Sequence, residues 1–293
     1  MGTKERHTVI NIPALKNERI ACLTLDLEQD YGDLLEEPSY EGLEHIPELI
    51  SFFKERSIPL TCFIQGSLLE THPAQIETLS ALDIEFELHA YSHHRPKESD
   101  IELQIERGKE AYAKFFGKAP MGYRSPLGFI NSNDYEILAS NEFKFDSSVC
   151  PSLRPGAFNN LTKPTEPYLM SNSKIIEFPL TVFSPIIRIP VALSYIKLLG
   201  KPYVHFLRTF PLPNLIIFSF HLHDLFQLGS SSGIPFEEFS LMYKRVFRKI
   251  YSQRKPNGLQ LLDEVITLLD RRGYLFSKLA DVYGEAMSKR EPK

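Results

Sequence analysis

Residues 85–94, E-F-E-L-H-A-Y-S-H-H, decide how the rest of the chain is read. Ile84, Phe86 and Leu88 alternate with polar residues as in a buried strand, and the run ends in His89, with His93 four positions on and His94 beside it. Two imidazoles so spaced can meet one ion if the chain turns helically after the strand, because side chains four apart then share a face. Zinc held by two histidines and a carboxylate keeps a coordination position open for water. The competing reading is a loop of hydrogen-bonded, partly buried histidines. A short motif alone does not choose between them, so the choice falls to the surrounding chain.

Upstream, R-I-A-C-L-T-L-D at 19–26 is an apolar run that suits a fully buried strand and delivers Asp26 at its end. A carboxylate there must be paired, hydrogen-bonded or metal-bound. Glu28, Asp30 and Asp33 follow closely; for Asp33, Glu36 and Glu37 a solvated loop is the ordinary reading. Residues 41–56 have helical apolar spacing, 58–65 read as a second strand, and 68–82 as a second helix with Pro73 near its start. The third strand spans 83–89, and Ser99 is the expected cap of a third helix over 100–116. Such alternation implies parallel strands joined by right-handed crossovers, in an open sheet or a barrel. Strand C-termini form the active-site rim of such folds, so Asp26 and His89 are expected to face one cleft.

Downstream, M-G-Y-R at 121–124 is a short strand that leaves Arg124 on a stiff loop before Pro126. A helix capped by Ser132 runs to Ala139, and F-K-F at 143–145 feeds Asp146, again an acid ending an apolar run. Residues 150–174, rich in Pro, Asn, Ser and Thr, read as a long excursion that could serve as a substrate-facing lid. Residues 175–180 are a sixth strand. Residues 186–210 mix Ile, Leu, Tyr and Phe with Arg188, Lys197, Lys201 and Arg208; such a stripe packs on a core or lies on a membrane surface. N-L-I-I-F-S-F-H-L-H at 214–223 is the strongest strand signal, and its period of two turns His221 and His223 to one side. Two helices, 235–250 and 258–272, and a terminal strand and tail, 274–282, complete the chain.

A chain of 293 residues with 43% hydrophobic and 24% charged residues has ample core for one large α/β domain. No linker or repeat divides it: residues 1–18 read as an N-terminal extension and 19–293 as a single domain. A net charge of -4 excludes the broad basic face that nucleic acid requires. Three scattered cysteines, two inside apolar runs, argue against a disulfide framework. The first residues lack the apolar stretch of a secretory signal, so a cytoplasmic location is the expectation.

Together, T-L-D-L-E at 24–28, H-A-Y-S-H at 89–93, G-Y-R-S-P at 122–126, F-K-F-D-S-S-V at 143–149 and H-L-H-D at 221–224 resemble, in order, the motifs of the NodB-homology polysaccharide deacetylases, carbohydrate esterase family 4. They are similar to the branch with D-x-E and Y-D-S-S motifs. The resemblance implies an α/β fold, a distorted barrel of about seven parallel strands, and a metal-dependent hydrolase that removes an N-acyl group from an amino-sugar-containing saccharide. Where that family's first motif commonly has two adjacent aspartates, Leu27 takes the second place, so Glu28 is the implied metal ligand with His89 and His93, and Asp30 is its reserve. The implied cofactor is a divalent ion, zinc first, cobalt or nickel next. Implied catalytic residues are Asp26 as base, Arg124 as its partner, His221 or His223 as acid, and Asp146 to orient that histidine. A backbone N–H near Tyr123 is implied to meet the acyl oxygen. His94 is read as structural. An intracellular nucleotide-linked or lipid-linked sugar is the expected substrate, with peripheral membrane contact through 186–210. A deformylase, a ring-opening amidohydrolase or a non-catalytic carbohydrate-binding homologue are the alternatives.

Overall fold

Every residue of Arg19–Leu27 after the first is buried, so both faces of this strand are covered, as expected at the middle of a parallel α/β sheet. The computed structural model describes residues 7–93, 100–154, 158–170, 173–251 and 257–288. In chain order the first half comprises β1 (His7–Val9), β2 (Arg19–Leu27), α1 (Ile46–Arg56), β3 (Leu60–Ile64), α2 (Gly66–Thr71), α3 (Pro73–Thr78), β4 (Ile84–Leu88), α4 (Ile101–Phe116), β5 (Gly122–Tyr123) and α5 (Ser132–Ser140). There follow β6 (Phe145–Asp146), β7 (Leu153–Arg154), β8 (Phe158–Asn159), β9 (Tyr168–Met170), β10 (Ile176–Glu177), α6 (Leu193–Leu199), α7 (Lys201–Thr209), β11 (Leu215–His221), α8 (Leu222–Leu225), α9 (Leu241–Tyr251), α10 (Gly258–Arg271), β12 (Tyr274–Phe276) and α11 (Leu279–Met287).

The sheet order is β1-β9-β10-β6-β5-β4-β3-β2-β11, with β12 also on β2. From β10 through β11 each neighbouring pair is parallel. The Thr181 N–H donates to Ile217 O at 3.2 Å, so the chain leaving β10 meets β11 and closes the ring. This is the expected distorted barrel. Its ring of seven parallel strands carries an eighth, β12 on β2, and two antiparallel additions, β9 on β10 and β1 on β9. The expected extension is thus partly built in, since Ile10 and Ile12 also join the barrel core.

That inner core contains Ile20, Cys22, Phe63, Phe145, Phe178 and Ile217, with Leu279 and Val282 of α11. Leu279 and Ala280 donate their N–H groups to Thr61 and Glu85, so the expected terminal tail is instead a helix that plugs the barrel floor. A second core between strands and helices takes the alternate residues, among them Leu23, Leu25, Leu27, Phe218 and Phe220.

Several boundaries differ from the sequence reading. Pro73 stands in the first turn of its own helix, where its missing N–H is harmless, so the expected helix over 68–82 is broken at His72. Asn131 rather than Ser132 caps α5, with Asp134 completing a capping box. Asp100 caps α4; Ser99 and His94 lie outside the described residues. The excursion over 150–174 contains the β7–β8 hairpin and β9.

Candidate active site

Alternation along β2 builds one wall of the site. Thr24 and Asp26 turn into the barrel, while Leu23, Leu25 and Leu27 pack in the helix layer. Glu28, one residue beyond the strand, lies on the side of Asp26. A ligand one position after the base therefore falls on Leu27, whose side chain is buried in the helix layer, and the D-x-E spacing is what brings two carboxylates to one side.

Register gathers the partners. Asp26 lies beside His221 of β11, and Leu88 beside Tyr123, so His89 and Arg124 leave adjacent strands together. The buried Arg124 side chain donates from Nη1 to Asp26 Oδ1 at 2.5 Å and to Thr24 Oγ1 at 2.9 Å. Its Nε and Nη2 hold Ser147 O and Oγ at 2.8 and 2.9 Å. With all three nitrogens engaged, the guanidinium has one pose, and Asp26 is fixed by it.

The Arg124 carbonyl has a second task. His89 Nδ1 lies 2.8 Å from it, and a carbonyl only accepts, which assigns the proton to Nδ1. Nε2 then faces Glu28 Oε2 at 2.9 Å, and His93 Nε2 lies 3.2 Å from the same oxygen. Burial acts against charge on Glu28, but the imidazoles of His93, His89 and His221 outweigh it and hold the carboxyl well below its ordinary range. Burial also disfavours charge on His93 and lowers its pKa. A buried carboxylate on which two imidazole Nε2 atoms converge is the donor set that a divalent cation takes, so the residues present fit one.

The two histidines do not meet through a helical turn, as the spacing suggested. Ala90 is left-handed, with φ 54°, and Ala90 O and Tyr91 O accept the N–H groups of Gly66 and Ser67 at 2.9 Å. The loop is pinned to the start of α2. Gly32, with φ +60°, packs on the His93 ring, where a Cβ would stand 3.0 Å from Cε1.

His221 and His223 also differ from expectation. β11 ends at His221 and α8 begins, so their rings stack at 4.7 Å through a helical turn rather than by strand alternation. His221 Nε2 reaches Asp26 Oδ2 at 3.6 Å and Glu28 Oε1 at 3.7 Å, with 27% of its side chain exposed. His223 is buried, and its Nδ1 accepts the Tyr31 N–H at 3.0 Å. Ligating atoms of His221, His223 and Asp224 lie within 4.8 Å of one another. Asp224 Oδ2, however, already accepts from His221 Nδ1 at 2.9 Å and from the His221 N–H at 3.2 Å. That cluster is a hydrogen-bonded His–Asp pair with a stacked neutral ring.

Three further expectations need correction. Asp146 does not orient the histidine: Phe145 belongs to the barrel core and Ser147 holds Arg124, so Asp146 points the other way. There it accepts from Ser148 and lies in register with Glu177. Burial and Glu177 push its carboxyl well up. Asp224 takes the expected place; the H-L-H-D run held that signal, since His221 and Asp224 are three apart and share a helical face. Asp30 is not a reserve ligand, because it receives Ser39 Oγ at 2.8 Å and Gly42 N–H at 3.2 Å and organises the loop after β2. Near Tyr123, the Arg124 and Ser125 N–H groups are engaged by Leu88 O at 3.0 Å and Ser148 Oγ at 2.8 Å, leaving neither for an acyl oxygen. Thr24, Ser147 and Ser219 were not singled out from sequence; their roles depend on contacts between distant strands.

Residues 18–145 match the polysaccharide deacetylase family. Over 127 residues the chain is 30% identical to the peptidoglycan deacetylase of Helicobacter pylori, a stretch that covers 41% of this chain and 42% of that protein. The chain thus spans less than half the length of this curated relative. A Mycobacterium smegmatis structure assigned to the polysaccharide deacetylases superposes over 99% of this chain and 97% of its own, with TM-score 0.63 and 16% identity. PuuE allantoinase superposes over 96% and 94%, with TM-score 0.57 and 13% identity. At these identities the two structures testify to the fold alone.

Proposed function

With residues 18–145 in the polysaccharide deacetylase family, we propose that this protein is a metal-dependent hydrolase that removes the N-acetyl group from an amino-sugar-containing saccharide. The observation that carries this reading is the meeting of Glu28 with His89 and His93 at 2.9 and 3.2 Å, beside Asp26, with His221 Nε2 3.6 Å from Asp26 and 3.7 Å from Glu28. A zinc, cobalt or nickel ion held by Glu28, His89 and His93 would polarise the acyl carbonyl and acidify a water.

The chain's own residues do the rest. Asp26, fixed by Arg124 and with Ser219 Oγ 3.3 Å from its Oδ2, takes the proton of the attacking water as general base. The water oxygen bonds to the acyl carbon, the C–N bond breaks, and the amine nitrogen needs a proton. His221 supplies it from Nε2, the nitrogen turned toward Asp26 and Glu28, while Asp224 on Nδ1 supports the imidazolium. His223 is buried and its Nδ1 accepts from Tyr31, so it lacks the carboxylate-supported imidazolium that His221 has.

The Helicobacter relative is named for peptidoglycan, and a nucleotide-linked or lipid-linked precursor bears the same N-acetyl amino sugar, so both belong to the substrate class. Any membrane contact of segment 186–210 falls to a hairpin tip. α6 and α7 bury Leu193, Ile196, Tyr203, Val204 and Leu207, and Lys197 is buried on Asp224 O at 3.0 Å. Ile186, by contrast, is 93% exposed, with Ile187 beside it. Arg188 braces this tip by donating to Pro185, Pro151 and Lys163 carbonyls at 2.9–3.3 Å. Among the described residues no helix is long and apolar enough to cross a membrane.

The test is acetate release from N-acetylated oligosaccharides, alongside bound zinc, cobalt and nickel measured on the same samples. Glu28→Ala should lose metal and activity together, whereas Asp26→Asn should keep the metal and lose at least about a hundredfold in rate. Stoichiometric metal in Glu28→Ala, or near-normal turnover in Asp26→Asn, would overturn the assignment.

A further inference from the structure

Among the described residues, Arg154 of the β7–β8 hairpin has no counter-ion. Arg154 ends β7, opposite Phe158 of β8, and the Phe158 ring lies 6.4 Å from Phe129, on the loop that follows Arg124. The hairpin therefore leans on the rim. The Arg154 charge is felt by the Cys150 thiol, the Tyr195 phenol of α6 and the Tyr251 phenol of α9.

Tyr251 connects this charge to the centre of the site. Its ring packs edge-on against Tyr31 at 5.0 Å and against His223 at 5.6 Å, and its hydroxyl also feels Asp224 and Glu28. None of the three neighbours can answer Arg154 with negative charge. Burial pushes the Cys150 thiol up to about 12 and outweighs the arginine at both phenols. Among the described residues no carboxylate lies within ion-pair distance of Arg154, and none accepts a hydrogen bond from it. Arg124, by comparison, has Asp26 and Ser147, Arg56 has Asp263, and Arg188 has its carbonyls. A half-buried guanidinium has lost part of its hydration, and its planar fork matches a phosphate or carboxylate.

We propose that Arg154 anchors an oxyanion, phosphate or carboxylate, carried by the saccharide next to the acetamido group to be cleaved. This rests on the deacetylase reading for the word saccharide, and on the hairpin's place at the rim for the anchor. A phosphate would come from a nucleotide-linked or lipid-linked precursor, and a carboxylate from an acidic sugar within a polymer.

The experiment titrates metal-loaded full-length protein by calorimetry with a neutral N-acetylated disaccharide, the same disaccharide bearing a phosphate, and one bearing a carboxylate. Arg154→Gln should weaken one or both anionic ligands about tenfold and leave the neutral one unchanged. Arg154→Lys should recover part of the loss. The anion that suffers identifies the source. Equal weakening of neutral and anionic ligands, no weakening of either anion, or failure of the parent protein to bind either anion overturns the anchor. Acetate release from the same three compounds separates the two claims. Binding that depends on Arg154 without release from any compound removes the deacetylase reading and leaves the anchor. Release with KM raised and kcat kept in Arg154→Gln, on the anionic compounds alone, supports both.

Discussion

His221 and His223 are the same residue type with rings stacked at 4.7 Å, yet they are driven to opposite protonation states. Burial would lower His221, but the hydrogen bond and charge of Asp224, followed by Glu28 and Asp26, raise it to about 9. Burial lowers His223, the charge of His221 lowers it further, and it falls to about 3. One ring is driven toward the imidazolium at neutral pH and the other toward the neutral form, which is the division of labour an acid catalyst requires. Replacing Asp224 with Asn removes the chief support of the imidazolium. The alkaline limb of the pH–kcat profile should then move down by about one to two pH units, and an unmoved limb would remove Asp224 from this role. A group raised from 6.5 to about 9 stabilises the fold fully below pH 6.5 and loses that contribution as pH rises through 9. A dication at Glu28 opposes the rise. Sequence alone named both histidines but could not choose, because the choice depends on a helical turn that starts at His221 where strand periodicity was expected to continue.

At the level of the strand, parity decides what reaches the site. Leu27 fills the helix layer, so Leu27→Asp, which recreates two adjacent aspartates, should add no metal ligand. Burying an unpaired carboxylate there should cost about 3 kcal/mol or more in urea denaturation. A stable variant with altered metal affinity would show that β2 can rotate its faces. The same parity explains Asp146. A two-residue strand gives no visible alternation, so an acid at its end reads like Asp26, although its neighbours Phe145 and Ser147 already claim the inward direction. Asp26, Glu28, His89, His93 and Arg124 were legible because each ends or follows a strand and their chain order matches a known series of motifs. Gly122 belongs to the same scale: a Cβ there would collide with the Phe145 ring, so that ring lies across β5 only because the position is glycine.

For the molecule as a whole, the alternation of strands and helices was enough to anticipate parallel strands in an open sheet or a barrel, and the resemblance to a family chose the barrel. Its short antiparallel edge was not, since three-residue strands such as β1 and β9 carry no periodic signal. The hairpin tip at Ile186 rises where the chain leaves β10 at the site end, tied to Pro151 just past β6. A membrane contact there would turn the site toward the lipid. Flotation with anionic vesicles should retain the parent protein and lose Ile186→Asp, with acetate release from a soluble substrate unchanged; equal flotation of both would exclude the tip as an anchor.

α11 and the residues around Ile10 and Ile12 seal the end of the barrel opposite His89. Among the described residues the open face is then the rim at the strand ends, where His221 keeps 27% of its side chain exposed, and in the proposed reaction water and sugar would both enter there. The small carboxylic acid of the proposed reaction would form on the buried side of the site, where Asp26 and Glu28 lie, and would leave past the sugar or after it.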